Sequence, residues 1–179
     1  MKEFKKYFLY VGNAYPHKNL ERAIKAAANL KALFYIVTSR NIFTNRLQKL
    51  IKKINTENYV KILGFVDDEK LNELYKNSIG FIYPSLSEGF GLPGLEAMKA
   101  KTILLCSDIP VFKEIYADNA IYFDPIDIKS IESSMEKVLS LNKKIREKRI
   151  KKADMFVKKY SWKKMARQTL EIYNILKIR

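Results

Sequence analysis

Residues 79–98 read IGFIYPSLSEGFGLPGLEAM, a sequence that passes from an apolar run through a glycine-rich segment into a helical pattern. Residues 79–83 lack polar alternation, which is typical of a strand that is buried on both faces. Three of the six glycines and two of the five prolines lie within residues 84–94, more than a simple turn requires. The pattern that follows predicts a short helix over 94–100, so this stretch is one strand–loop–helix unit.

The same unit repeats on both sides of this stretch. Further apolar runs predict strands over residues 7–11, 33–37, 60–63, 102–106 and 120–123. Apolar positions at helical spacing predict helices over residues 20–31, 46–54 and 68–77. Because strand–helix–strand repeats produce parallel strands with right-handed crossovers, we expect an α/β fold: a Rossmann-like open parallel six-stranded sheet with helices on both faces. A helical C-terminal tail follows, with helices predicted over 128–139, 141–159 and 161–178.

Length and composition limit the class of protein. The chain has 179 residues, which predicts one domain, and 47% of them are hydrophobic, which excludes a disordered chain. The single Cys106 and the single His17 argue against a disulfide and a Cys- or His-based metal site, so we expect no metal and no cofactor. No apolar run is long enough for a membrane span, and residues 1–6 lack a signal-peptide profile, so we expect a cytoplasmic chain.

The net charge of +15 indicates an acidic partner. Nucleic acid, an anionic membrane surface and a phosphorylated substrate all fit this charge, but the common nucleic-acid-binding motifs are missing, so nucleic acid is not an expected partner. The densest basic run, residues 143–152, fits anionic lipid head groups and predicts a peripheral position on the inner face of the cell membrane. Lysines also occur along nearly every helix, as in a lysine-rich proteome, and both interpretations stay open.

The order of the strands predicts where a ligand binds. In the common order 3-2-1-4-5-6, strands 1 and 4 are neighbours, and ligands bind beyond the carboxyl ends of these two strands. The segments at those ends are residues 12–18 and residues 84–91. They are also the two most unusual stretches of the sequence. Position and composition therefore agree on one candidate site.

Residues 89–94, GFGLPG, match the G-x-G-x-x-G pattern of dinucleotide-binding loops. Two details weaken the match. Residues 84–88 separate the first glycine from the strand, whereas the dinucleotide motif has that glycine at the tight turn directly after its strand. Pro93 also removes an N–H group that would face a pyrophosphate. An NAD(P)-binding oxidoreductase domain therefore stays an alternative.

Residues 84–98 as a whole resemble the signature of the retaining GT-B glycosyltransferases of family 4, whose centre is the E-x7-E spacing of Glu88 and Glu96. Further blocks resemble the same family, in its order along the chain: residues 10–20, 63–66, 107–114, 123–125 and 160–162. The resemblance covers only the donor-binding half of a GT-B enzyme. It implies that residues 1–179 form a single nucleotide-sugar-binding domain without the N-terminal acceptor domain. The chain is then a fragment of a longer enzyme, or a natural half, and is inactive alone.

The residue types fit the chemistry that this family performs. A departing nucleoside diphosphate carries developing negative charge, which an ammonium and the N–H groups of a helix N-terminus stabilise. We expect Lys18 at the start of a helix and Glu88 at the end of strand 4. Gly89 and Gly91 are expected to let backbone N–H groups approach the diphosphate, because neither residue has a Cβ atom.

The resemblance also implies roles for individual residues. Glu96 accepts hydrogen bonds from both ribose hydroxyls, and we expect Glu88 and Lys18 to be catalytic: Glu88 holds sugar hydroxyls or balances charge at the anomeric carbon, and Lys18 meets the diphosphate. The other expected substrate-binding residues are Gly12, Asn13, His17, Gly64, Phe65, Val66, Gly89, Phe90, Gly91 and Leu92. Many relatives have an arginine at the position of Asn13, so we expect a weaker or altered grip on the phosphates.

The predicted function is the transfer of a hexose from a nucleotide-diphosphate sugar to a glycan or lipid-linked acceptor, with retention of anomeric configuration. Residues 18–22, KNLER, are similar to the first helix of envelope mannosyltransferases, which favours GDP-mannose slightly over a UDP-sugar and favours cell-envelope polysaccharide biosynthesis. A non-catalytic half that docks on a partner or on an anionic membrane is the alternative. By resemblance, the last helix leaves apolar surface exposed near residues 161–179.

Overall fold

A computed structural model describes residues 7–177 of the chain. Its strands are β1 (Tyr7–Val11), β2 (Leu33–Val37), β3 (Val60–Gly64), β4 (Gly80–Tyr83), β5 (Leu104–Ser107) and β6 (Ile121–Phe123). They form one parallel sheet in the order β3-β2-β1-β4-β5-β6. The predicted open parallel sheet is confirmed, and so is the predicted pairing of the first and fourth strands.

The central strands are buried because helices pack against the sheet. Every residue of β4 and β5 is buried, and Val11 is the one partly exposed residue of β1. The edge strand β3 instead alternates buried or partly buried residues with exposed ones. This difference is expected, since a strand with neighbours on both edges and helices over it has no face left for water.

The helices are α1 (Leu20–Asn29), α2 (Ile42–Lys53), α3 (Asp68–Asn77), α4 (Leu92–Lys99), α5 (Pro110–Tyr116), α6 (Ile128–Leu139), α7 (Lys143–Val157) and α8 (Trp162–Lys177). A short 3-10 turn, Pro16–Lys18, precedes α1. α1 packs against α2 and α6, and α4 packs against α7. The signal-peptide prediction concerns residues 1–6, and the predictions for the last helix and its apolar surface extend to residues 178 and 179; these residues lie outside the described part of the chain.

Several boundaries differ from the sequence prediction by one to four residues, and one helix was not predicted. α2 begins four residues earlier, because the Asn41 side chain caps it by accepting a hydrogen bond from the Thr44 N–H at 2.9 Å. β5 begins two residues later, because the Thr102 N–H donates to the Ala97 carbonyl at 2.9 Å in the turn that ends α4. α5 was not predicted at all. It has only seven residues and begins with a proline, so it offers little periodicity.

α8 differs from every other helix in its exposure. The described side chains from residue 162 to residue 175 are all exposed, and the apolar ones include Trp162 at 69% and Tyr173 at 60%. The predicted apolar surface on the last helix is thus confirmed for these residues. Among the helices of residues 7–177, none combines the length and apolar character that a membrane span needs.

Candidate functional site

A crevice of about 290 Å³ opens at the carboxyl ends of β1 and β4, where the strand order reverses. We call it the switch-point crevice. Its lining residues come from these two strands and from the loops that follow them: Tyr10, Val11, Gly12, Asn13, Lys18, Tyr83, Glu88, Phe90, Gly91, Leu92 and Pro93. A wider hollow lies at the opposite edge of the sheet, at the amino ends of β2 and β3. It contains none of the predicted site residues, and parallel sheets bind ligands at their carboxyl edge.

An ion pair joins the two loops across the switch-point crevice. Lys18 Nζ lies 2.5 Å from Glu88 Oε1, and the two side chains are only 11% and 10% exposed. A backbone hydrogen bond runs parallel to this pair, from the Leu86 N–H to the His17 carbonyl at 2.7 Å. Because both contacts connect the same two loops, the β1–α1 loop and the β4–α4 loop form one structural unit.

Lys18 and Glu88 lie beside the elements on which the sequence analysis placed them. Lys18 ends the 3-10 turn before α1 and is separated from this helix by Asn19, so it is not in a helical first turn. Glu88 lies in the loop five residues beyond the last residue of β4 and not at the strand end. The 3-10 turn and the loop both contribute to the lining of the switch-point crevice, where the amine and the carboxylate meet.

Buried phenols form the floor and wall of the switch-point crevice. Burial, and secondly the negative charge of Glu88, raise the pKa of Tyr10 and the pKa of Tyr83 well above the usual range. Both side chains therefore stay neutral at physiological pH. Tyr10 Oη donates to the Asn13 carbonyl at 2.7 Å, and the Tyr83 ring centroid lies 5.9 Å from Lys18 Nζ. The ammonium is thus held between a carboxylate and an aromatic ring.

Glu96 lies on α4, eight positions after Glu88, and its side chain is exposed. Its Oε2 atom accepts a hydrogen bond from Tyr75 Oη at 3.3 Å. Burial raises the pKa of Tyr75, and the Glu96 charge raises it further. The charge of Glu96 also contributes, after burial and Glu88, to the raised pKa of Tyr83. Both glutamates therefore contribute to the raised pKa of Tyr83, although Glu96 does not line the switch-point crevice itself.

The glycines of the β4–α4 loop serve different purposes. Gly91 adopts φ +98°, in the left-handed region, and Tyr116 Oη donates a hydrogen bond to its carbonyl at 2.5 Å. A Cβ atom at Gly91 or at Gly94 would overlap Tyr116 Oη, so internal packing requires both glycines. A Cβ atom at Gly89 would meet nothing within 4 Å. Packing against Tyr116 is therefore one reason for a glycine at position 91, and the approach of a diphosphate to the backbone of Gly89 and Gly91 stays a prediction.

Six predicted residues do not line the switch-point crevice: Gly89 and Glu96, described above, and also His17, Gly64, Phe65 and Val66. Gly64, Phe65 and Val66 follow β3, two strands away from the crevice, and Phe65 is 87% exposed. They share its edge of the sheet, since Val37 pairs with Gly64. His17 is exposed and contributes its backbone carbonyl to the loop contact rather than its ring.

Sequence reasoning missed the tyrosines of this site and also Asn19. A signal for Tyr10 and Tyr83 existed, because each lies at or next to the carboxyl end of a strand that borders the predicted switch point. Asn19 is buried and joins the loops through its side-chain amide. Its partners are backbone carbonyls, which any sequence provides, so no pattern pointed to it.

These observations define a Rossmann-like α/β domain with a polar crevice at its switch point. The family model of glycosyl transferases group 1 matches residues 1–169. The chain belongs to this family, and the resemblance that the sequence showed is confirmed.

Two relatives are O-antigen mannosyltransferases by name. The chain is 36% identical over 142 residues to the O-antigen chain mannosyltransferase RfbU of Salmonella typhimurium, an alignment that covers 78% of this chain and 40% of that protein. It is 31% identical over 176 residues to the O-antigen chain mannosyltransferase B of Escherichia coli, covering 95% of this chain and 46% of that protein. The chain therefore spans less than half the length of these relatives.

Solved structures agree on the fold. Sucrose-phosphate synthase from Thermosynechococcus elongatus superposes with a TM-score of 0.88 at 22% identity, over 96% of this chain and 45% of that one. The C-terminal domain of the group 1 glycosyl transferase LpcC from Francisella tularensis superposes with a TM-score of 0.73 at 22% identity, over 86% of this chain and 85% of that one. The predicted fold class, one half of a GT-B glycosyltransferase, is confirmed.

Proposed function

We propose that this chain is the donor-binding half of a glycosyltransferase, which binds a nucleotide-diphosphate sugar in the switch-point crevice. The observation that carries this proposal is the Lys18–Glu88 pair, bridged at 2.5 Å across the two loops that face the predicted ligand position. Family membership supports the reaction class. Transfer of a hexose with retention, without a metal or another cofactor, stays part of the proposal.

The donor that we favour is GDP-mannose, with a UDP-sugar next. The names of the two relatives, both O-antigen mannosyltransferases, support a mannosyl donor and a role in cell-envelope polysaccharide biosynthesis. A glycan or a lipid-linked sugar is the acceptor that fits this role. Neither the nucleotide nor the acceptor follows from the crevice alone, because the phosphate contacts are common to all such donors.

Each charged residue has a separate task in this proposal. The Lys18 ammonium neutralises the diphosphate as the bond to the sugar breaks, and Gly89 leaves room for the phosphates beside the loop. Glu88 holds Lys18 in place and offers its other oxygen to sugar hydroxyls. Tyr75 fixes one oxygen of Glu96, and its other oxygen is available to the ribose hydroxyls. Lys18 and Glu88 are the proposed catalytic residues.

A second domain completes the enzyme in this proposal. The relatives are more than twice as long as the matched part of this chain, which leaves room for an acceptor-binding domain in a whole protein. The exposed apolar side chains of α8 are the surface on which we propose that domain to dock. The chain alone is then expected to bind the donor without transferring the sugar.

The alternatives gain less support. The second and third glycines of the G-x-G-x-x-G match are explained by the packing of Tyr116, which leaves NAD(P) binding without a specific observation. The exposed lysines of α7, Lys143, Lys144, Lys148, Lys151 and Lys152, fit an anionic membrane. α2 carries a comparable exposed set, Arg46, Lys49, Lys52 and Lys53, so the charge of α7 is not distinctive. Membrane contact stays a prediction.

Calorimetric titration of GDP, UDP, ADP and NAD without metal tests the proposal. We expect one nucleoside diphosphate to bind. Lys18→Ala should weaken it at least about tenfold, equivalent to about 1.4 kcal/mol, and leave the matching nucleoside unchanged, because Glu88 then meets the diphosphate without its amine. Glu96→Ala should weaken both ligands alike, since the ribose is common to them.

Control variants for this titration come from the same surface. Lys99→Ala removes an exposed lysine from α4, and Glu136→Ala removes an exposed glutamate from α6. Neither residue lies in the crevice, so both variants should bind like the unmodified chain. Failure of all three nucleoside diphosphates, or binding that ignores both Lys18→Ala and Glu96→Ala, contradicts the proposal. Binding of NAD alone would favour the oxidoreductase instead.

A further inference from the structure

Asn19 joins three loops at the carboxyl edge of the sheet. Its side-chain Nδ2 donates to the Pro84 carbonyl at 3.0 Å and to the Pro125 carbonyl at 2.7 Å. Its Oδ1 accepts from Arg22 Nη1 at 2.8 Å, which fixes the orientation of the amide. Both N–H donors and the carbonyl oxygen of one buried side chain are therefore satisfied. The amide thereby links the β1–α1, β4–α4 and β6–α6 loops.

The loops that Asn19 joins also carry the charged pair of the crevice. Lys18 directly precedes Asn19, and Pro84 opens the loop that bears Glu88. A change in the separation of these loops would change the position of the Lys18 ammonium relative to Glu88. Since the ion pair is short and nearly buried, it tolerates little such change.

Backbone conformation alone does not require an asparagine here. Asn19 adopts φ 56°, but Lys31 and Lys101 adopt the same region with φ 51° and φ 63°. An asparagine at φ 52° also occurs at Asn55, at the end of α2, where its side chain is exposed. The feature that distinguishes Asn19 is its set of three hydrogen bonds between loops and helix.

We infer that Asn19 is a positioning residue, which holds the Lys18 ammonium and Glu88 in register for the diphosphate of the donor. This inference rests on the proposed function. It predicts that loss of the Asn19 amide affects the diphosphate part of the ligand and spares the nucleoside part, because the proposed nucleoside contact, Glu96, lies on α4 and is held by Tyr75.

Asn19→Gly tests this inference, because glycine keeps the left-handed backbone and removes all three hydrogen bonds. The matched control is Asn55→Gly, which changes the same residue type at nearly the same φ away from the site. We expect Asn19→Gly to weaken the nucleoside diphosphate five- to tenfold and the matching nucleoside less than twofold. Asn55→Gly should change neither affinity. When Asn19→Gly is combined with Lys18→Ala, it should weaken the affinity for the nucleoside diphosphate by less than a further factor of two.

Asn19→Asp provides a second variant if the glycine variant does not fold. It keeps the acceptor for Arg22 and replaces the two donors by a carboxylate, so the same selective loss is expected. Equal losses for the nucleoside and its diphosphate, or no loss for either, would overturn the positioning role while the proposed function stands. If the unmodified chain binds no nucleotide, the proposed function fails and this inference fails with it.

Discussion

The switch-point crevice and α8 are opposite kinds of surface. In the crevice, the charged and polar groups already have partners: Lys18 has Glu88, and Tyr10 has the Asn13 carbonyl. On α8, the large apolar side chains from Trp162 to Ile175 are exposed to solvent. The comparison shows that polar groups of the crevice are paired within the described part of the chain, whereas the apolar side chains of α8 are not covered by it.

The largest expected effect separates two glycines of the same loop. Gly91→Ala introduces a Cβ atom that overlaps Tyr116 Oη, at a backbone φ of +98° that L side chains rarely adopt. We expect the free energy of unfolding to fall by about 3 kcal/mol, because overlap and backbone strain add. Urea denaturation measures this loss.

Gly89→Ala is the control for that variant. An added Cβ atom meets nothing within 4 Å there, so the stability should change by less than about 0.5 kcal/mol. If Gly91→Ala and Gly89→Ala lower the free energy of unfolding by the same amount, packing of Tyr116 against Gly91 does not stabilise this loop. The conclusion that the chain itself supports the crevice would then be wrong.

A smaller effect concerns the ion pair. Glu88→Gln leaves the nearly buried Lys18 ammonium without its carboxylate, and we expect a loss of about 2 kcal/mol in the free energy of unfolding. Thermal and urea denaturation, at salt concentrations below and above 0.5 M, measure this loss in the free energy of unfolding. Asp118→Asn breaks the exposed pair with Lys152 and should leave the stability unchanged. If Glu88→Gln leaves the free energy of unfolding unchanged, the ion pair is not needed to hold the two loops together.

The smallest expected effect lies on α8. Ile172→Ser combined with Tyr173→Ser should change the free energy of unfolding by less than about 0.5 kcal/mol, since both side chains are exposed. Ile82→Ala, in the fully buried part of β4, serves as the contrast and should cost about 3 kcal/mol. A loss on α8 of similar size would show that this helix packs on its own domain.

Much of the fold was predictable because it depends on local patterns. Buried parallel strands appear as continuous apolar runs, and their order followed the common arrangement for six alternating units. α5 escaped prediction because a seven-residue helix shows no full period beyond two turns. The start of β5 was misplaced because the apolar run continues backward into the turn after α4.

The site was predictable in position but not in its internal support. Glycines at 91 and 94 signalled an unusual loop, but the reason for them is Tyr116, more than twenty positions later in the chain. Asn19 meets carbonyls 65 and 106 positions away, which carry no side-chain identity. Contacts to the backbone across such separations leave no trace in a single sequence. The roles of Glu88, Glu96 and Lys18 stay predictions that the titrations address.

Trp162 is the single tryptophan of the chain, and it lies at the first position of α8 with 69% of its side chain exposed. All intrinsic indole fluorescence of this chain therefore arises at the first residue of this exposed helix. Any protein surface that covers this end of the helix will shift the emission to shorter wavelength, without a label and without an engineered fluorophore. The chain thus carries its own optical probe for any contact made at this end of α8.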